Sequence, residues 1–213
     1  PAFFGIDVRR NISDYSISNF KRVSGERPCY TNLADLDNLL CTLYLISKSF
    51  NLYFNKVPYI SIAGKHGNPC GLSIDWTSPE KTIKNALWGN PTAIWGGEFV
   101  SNFVINETCA YLLFESEKRQ KYFGHDKWML DIIVAAEFDK KSIEILGRKK
   151  RRKLFVNKNL FHAELADLTS SLKSVKGGFL IQPPNDYVLE INKLDWITKF
   201  QNVTDISSYL IAW

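Results

Sequence analysis

Two periods of hydrophobic and polar positions alternate along this chain. Leu33, Leu36, Leu40, Leu43 and Ile46 recur at the spacing of one helical face. Asn32 precedes that face as an N-cap, with Asp35 and Asp37 near the positive end of the helix. Tyr59-Ile60-Ser61-Ile62-Ala63 has instead the length and β-branched content of a buried strand. It breaks on Gly67-Asn68-Pro69-Cys70-Gly71, a cluster that favours a turn. Ser78-Pro79-Glu80 opens a second helix with a capping hydroxyl, a proline at the first helical position and an acid. Gly89 ends it in the left-handed position. Asn106 to Tyr122 reads as one further helix, ended by Gly124. Leu130 to Phe138 reads as one buried strand with Asp131 near its start, and Asp139 to Gly147 as a capped helix. Ile206, Tyr209, Leu210 and Trp213 share a face of a last helix that docks on the core. Residues 1–30 are irregular and rich in Ser, Asn and Arg. Strands alternating with helices predict an α/β fold, a three-layer α/β/α sandwich on one central mixed sheet. Residues 1–213 form a single domain, without internal repeat or linker.

Composition narrows the class. The chain has 213 residues, 45% hydrophobic and 23% charged, enough for one substantial core and too apolar for disorder. No apolar run reaches the length of a membrane span, and the start lacks a secretory signal, so a cytoplasmic location is expected. The four cysteines form no C-x-x-C pair and the three histidines are scattered, so neither a disulfide framework nor a metal site is expected. The net charge of +5 is concentrated in Arg148-Lys149-Lys150-Arg151-Arg152-Lys153. That run reads as a solvated helix end rather than a nucleic-acid patch, because no aromatic platform is interleaved with it.

The chemistry-bearing stretch is Lys65-His66, between the apolar run and the turn cluster. A cation and an imidazole at the carboxyl end of a buried strand are where open α/β sheets present ligand-handling groups. Lysine supplies positive charge to a developing anion, and histidine moves a proton near neutral pH. Ordinary strand-end polar residues would look the same. Trp95-Gly96-Gly97 is a second candidate, since two glycines in an apolar segment permit a close approach of backbone to a ligand, or form a bend. Asp131 is a third, because a carboxylate inside a buried strand needs a partner.

Lys65-His66-Gly67-Asn68-Pro69-Cys70-Gly71 resembles the Lys-His-Ala-Asn-Pro-Cys-Gly signature of AICAR transformylase, the formyl-transferring half of a bifunctional purine-biosynthesis protein. The resemblance is collinear. Cys29 to Asp37, Asn90 to Phe99, Asp139 to Gly147, Lys173 to Gln182, Trp196 to Lys199 and Tyr209 to Trp213 are each similar to family segments. It implies a cytidine-deaminase-like unit, the first of the two in the family, with the second unit and the cyclohydrolase domain absent from this chain. It implies Lys65 and His66 as catalytic residues, and Asp131, Gly96, Trp95 and Asn68 as substrate contacts. Two departures bear on the acceptor. Phe3 stands where the family has a phosphate-binding Arg, with Arg9 and Arg10 nearby, and Trp95 stands where it has Phe.

The resemblance therefore implies an N-formyltransferase that carries a formyl group from 10-formyltetrahydrofolate to a small amine acceptor other than AICAR. Its expected partners are folate, the acceptor and a second copy of the chain in a homodimer. The alternative is a non-catalytic binding or accessory protein that keeps the fold.

Overall fold

The computed structural model describes residues 20–162, 171–183, 187–190 and 193. In chain order the elements are β1 (Lys21–Ser24), α1 (Tyr30–Phe54), β2 (Tyr59–Lys65), β3 (Asn68–Asp75), α2 (Pro79–Gly89), β4 (Gly97–Ser101), β5 (Val104–Ile105), α3 (Glu107–Phe114), α4 (Glu117–Phe123), β6 (Leu130–Ala135), β7 (Glu137–Phe138), α5 (Lys140–Leu146), β8 (Lys153–Val156), β9 (Ser171–Val175) and β10 (Gly178–Gln182). Six strands form the central sheet in the order β1-β8-β6-β4-β2-β3. The β4–β6 and β6–β8 pairs are parallel and the other three antiparallel, so the sheet is mixed, as expected.

The two faces of the sheet carry separate cores. On one side Leu33, Leu36, Leu40 and Leu43 of α1 pack on Ile60, Ile62, Val100, Ile132 and Val134. On the other, Ile83 and Leu87 of α2, Cys109 and Leu113 of α3 and Ile145 and Leu146 of α5 pack on Ala63, Phe99, Ile133 and Leu154. This gives helix, sheet and helix layers. Neighbouring strand residues alternate between the cores: Phe99 and Ile133 face the three-helix side, Val100 and Ile132 the α1 side. Each fully buried Leu or Ile contributes about 1.5–3 kcal/mol, so these faces fix which way every strand is turned.

Several local expectations are corrected. The turn after β2 is His66-Gly67 alone, with φ of 54° and 69°. Two left-handed residues match the twist of a tight hairpin, and Lys65 pairs directly with Asn68. Asn68, Pro69, Cys70 and Gly71 therefore belong to strand β3. Pro69 is tolerated because β3 is an edge strand and the ladder slips at Ala63/Gly64, opposite it. Helix α1 begins at Tyr30 rather than after Asn32, whose Oδ1 accepts from the Cys29 N–H at 3.4 Å. Gly89 ends α2 without a left-handed φ; a Cβ there would lie 2.6 Å from the Gly71 Cα, so close helix–strand packing requires the glycine.

Residues 106–122 form two helices, not one. Glu115 is extended and bridges to Lys127, and the Ser116 hydroxyl accepts from the Arg119 N–H to restart the chain as α4. Residues 130–138 divide likewise, because β6 stays in the main sheet while β7 pairs with β5. Within residues 1–30, Lys21–Ser24 is an edge strand antiparallel to β8, not irregular chain. The basic run is not wholly solvated. Arg152 is 1% exposed, and its guanidinium donates to the carbonyls of Trp128 at 2.9 Å and Leu130 at 3.2 Å. Phe3, Arg9, Arg10, residues 196–199 and the last helix, with Trp213, lie outside the described residues.

Candidate functional site

Three strand ends meet at Lys65. Strand β2 runs antiparallel to β4, which runs parallel to β6, so the carboxyl end of β2 lies beside the amino ends of β4 and β6. The register pairs Gly64 with Glu98, and Glu98 with Ile132, the residue after Asp131. Lys65, Trp95, Gly96, Glu98 and Asp131 are thereby gathered at one end of the sheet from three separate stretches of the chain.

The glycines at 64 and 97 make that meeting possible. A Cβ on Gly97 would lie 2.2 Å from the Gly64 carbonyl oxygen, a clash between two backbones that neither strand can relieve. The sequence left Trp95-Gly96-Gly97 as either a close approach to a ligand or a bend; Gly97 is required by the approach of β2. Gly96 has a φ of 71° and open space: a Cβ there would have the Lys65 Nζ as its nearest neighbour, at 3.8 Å. Its N–H donates to the Met129 carbonyl at 2.8 Å, which ties this bend to the start of β6.

Lys65 is half-buried, and its ammonium donates to the carbonyl oxygen of Trp95. That bond holds the charge at the bend. His66 is exposed, and its imidazole has no hydrogen-bond partner among the described residues. Its positive φ turns it away from the strand direction at the tip of the hairpin. Asn68 donates through Nδ2 to the His66 carbonyl at 2.9 Å, so it braces the turn. Asp131 is half-buried. Burial brings the Arg152 guanidinium down to about 10, with the charge of Asp131 partly opposing that shift.

Two residues that the sequence reading passed over complete the site. Glu98 is 1% exposed. Its Oε1 accepts from the Asn32 Nδ2 at 3.4 Å, while Oε2 is buried without a partner. Burial, then the charge of Asp35, then that of Asp131, push its carboxyl up to about 8; Asn32 and Lys65 oppose them. The signal was an acid at an inward position of Gly97-Glu98-Phe99-Val100-Ser101, a run buried throughout. Arg119 of α4 is the other. It is 2% exposed, and its guanidinium lies over the rings of Trp128 at 4.4 Å, Phe123 at 5.0 Å and Trp95 at 5.6 Å. It donates to the Pro91 carbonyl at 2.9 Å and to His125 Nε2 at 2.7 Å. No spacing rule links residue 119 to residue 95.

The four cysteines are free thiols, and burial raises those of Cys41 to about 12 and Cys109 to about 11. Among the described residues no group of three His, Cys, Asp or Glu is placed to hold a metal, and no helix is long and apolar enough to cross a membrane.

Comparison with known proteins agrees with the motif. The bifunctional purine biosynthesis protein PurH of Fusobacterium nucleatum is 30% identical over 189 residues, which are 89% of this chain and 32% of that protein. The PurH of Lactococcus lactis is 30% identical over 182 residues, 85% of this chain and 30% of that protein. The PurH of Staphylococcus saprophyticus is 24% identical over 208 residues, 97% of this chain and 37% of that protein. The chain thus spans about a third of the length of the curated relatives it matches. With the family model of the AICARFT/IMPCHase bienzyme matching residues 4–213, the chain belongs to that family.

Proposed function

We propose that this chain carries the Lys-His catalytic pair of a folate-dependent N-formyltransferase, with 10-formyltetrahydrofolate as the formyl donor. The observation that carries the reading is the placement of Lys65 and His66. The ammonium is fixed at a glycine bend, and the imidazole stands exposed on the adjoining turn. In this reading the acceptor amine attacks the formyl carbon and gives its proton to His66 as general base. The Lys65 ammonium stabilises the oxyanion of the tetrahedral intermediate. Collapse breaks the bond from carbon to the folate N10, which leaves with the electron pair and takes up a proton, assisted by Lys65. Gly96, Trp95, Asp131 and Asn68 shape the acceptor side.

The acceptor we infer is a small amine other than AICAR. Trp95 in place of Phe supports this, because a larger ring changes the shape of the pocket, and Phe3 in place of Arg removes a charge-assisted phosphate contact. Such a contact is worth about 1.5–3 kcal/mol. A homodimer is the assembly we infer, with the exposed Trp95 segment near its interface.

The test is incubation with 10-formyltetrahydrofolate and a panel of amines, following release of tetrahydrofolate. Release with one amine and not AICAR is expected. Release with AICAR alone would overturn the choice of acceptor. No release with any amine, from protein with native circular dichroism, would favour an accessory binding role.

A further inference from the structure

A fully buried glutamate paired across the sheet with the neighbour of a lysine is an unusual arrangement. Glu98 sits on β4 directly across from Gly64, one residue from Lys65, and beside Asp131 through its register with Ile132. A carboxylate there would leave Oε2, which carries half of the shared negative charge, with no donor, whereas a carboxylic acid leaves only one neutral oxygen unpaired. The second is far less costly in a low-dielectric interior.

We propose that Glu98 is a positioning residue for Lys65, kept as a neutral carboxylic acid so that the ammonium faces no counter-charge from inside the sheet. This rests on the formyltransferase reading only for its consequence. A neutral Glu98 leaves the field of Lys65 available to a developing oxyanion, and an ionised Glu98 would cancel much of it.

Burial and the two nearby acids favour the neutral form of Glu98, while Asn32 and Lys65 oppose it. Asp35 approaches from α1 and Asp131 from β6, both negative, and Asn32 of α1 supplies one neutral donor. On β3, the Cys70 thiol is disfavoured from ionising by burial first and by Glu98 least, with Lys65 opposing both. Lys65 on β2 is the cation whose charge acts on Glu98. Arg152, ahead of β8, interacts with Asp131. Two carboxylates thus flank the third, and like charges in one site hold one group protonated.

The experiment is a pH titration of the full chain by carbon NMR, with Glu Cδ and Lys Cε labelled. Glu98→Gln identifies the first signal and Lys65→Met the second. The expected result is a Glu98 carboxyl that titrates between pH 7 and 9, with a Lys65 Cε signal that shows the same inflection and loses it in Glu98→Gln. A Glu98 that is ionised by pH 6, or a Lys65 signal indifferent to the Gln substitution, would overturn the proposal. Because Gln preserves shape and hydrogen bonding, a purely structural Glu98 would leave Lys65 unchanged by it. Formyl transfer is measured on the same samples and decides the other question. Turnover without the shared inflection would refute this proposal alone, and the inflection without turnover would refute the formyltransferase reading alone.

Discussion

The ammonium of Lys65 is hydrogen-bonded to the backbone carbonyl of Trp95, so the end of β2 and the bend before β4 act as one unit. Through Gly96 and Met129 the same unit reaches β6. Any ligand held between Lys65, Trp95 and Asp131 therefore meets β2, β6 and the bend that leads into β4, which ladder and backbone hydrogen bonds hold together.

The pair itself can be tested without disturbing the hairpin. His66 has a positive φ, where Asn is tolerated better than Ala, so His66→Asn removes the base and keeps the turn. Its turnover should fall ~10²–10⁴-fold, and that of Lys65→Met ~10²–10³-fold. The double variant should lose much less than the product of the two, because both groups serve one transition state. Formyl-transfer rates on samples of matched circular dichroism check this. Near-normal turnover in either folded single variant removes the pair from the mechanism.

The adjacent glycines should respond differently. Gly97→Ala forces a Cβ to 2.2 Å from the Gly64 carbonyl and should destabilise the β2–β4 contact by more than ~2 kcal/mol. Gly96→Ala has room and carries only the strain of a positive φ, about 1–2 kcal/mol. Urea unfolding of both variants gives the comparison. Equal losses would mean that the strands at Gly64 can part to admit a methyl group.

Arg119 supports the site from behind. It fills the space among Trp95, Trp128 and Phe123 and donates to Pro91 and His125. Lysine cannot reproduce a planar guanidinium between rings. Arg119→Lys should therefore lose stability by about 1–3 kcal/mol and weaken acceptor binding through Trp95. Thermal unfolding and tryptophan fluorescence follow both effects. An unchanged fluorescence spectrum and midpoint would show that Arg119 does not hold the Trp95 ring.

Assembly is checked by light scattering. Trp95 is 45% exposed beside Lys65, and a homodimer should cover it. The expected mass is twice that of the chain, and Trp95→Ser should lower it. A fully active monomer at working concentration would refute the dimer.

Much of this was legible from residue pattern. Ser78-Pro79-Glu80 starts a helix because hydroxyl, ring and acid each satisfy a helix N-terminus, and the structure caps there, with the Ser78 Oγ accepting from the Lys81 N–H at 3.1 Å. Leu33 to Leu43 announce their face by spacing alone. What stayed hidden depends on tertiary neighbours. Ser116 breaks a helix only because Glu115 finds a strand partner in Lys127. Arg152 belongs to a charge run in sequence, yet two carbonyls of the 128–130 segment draw it inside. Glu98 follows Gly97 in a short apolar run, as Asp131 follows Leu130. The rule that marked Asp131 as a buried acid needing a partner applied with more force to Glu98.

Glu98 also gives the fold a characteristic pH dependence. Its carboxyl moves from an ordinary 4.5 to about 8 in the folded chain, mainly by burial. Between those values the folded protein holds a proton that the unfolded chain has released, so folding takes up a proton. Stability from this group is complete below the lower value, falls as pH rises and is lost once pH has passed through the upper. Within that window the slope approaches about 1.4 kcal/mol per pH unit for one proton. Asp37, also raised by burial, contributes a slope of the same sign above its ordinary 3.8, whereas Asp126, lowered chiefly by its bond to Lys127, has the opposite sign at acid pH. The comparison that isolates Glu98 is wild type against Glu98→Gln, which carries every other group unchanged. Urea midpoints at pH 5, 6.5, 8 and 9 should fall more steeply for wild type, with the Gln variant gaining on it across the series and the gain levelling off above pH 8. Parallel curves for the two proteins would mean that Glu98 is already ionised at pH 5. The buried Oε2 would then have a donor in solution that satisfies its charge.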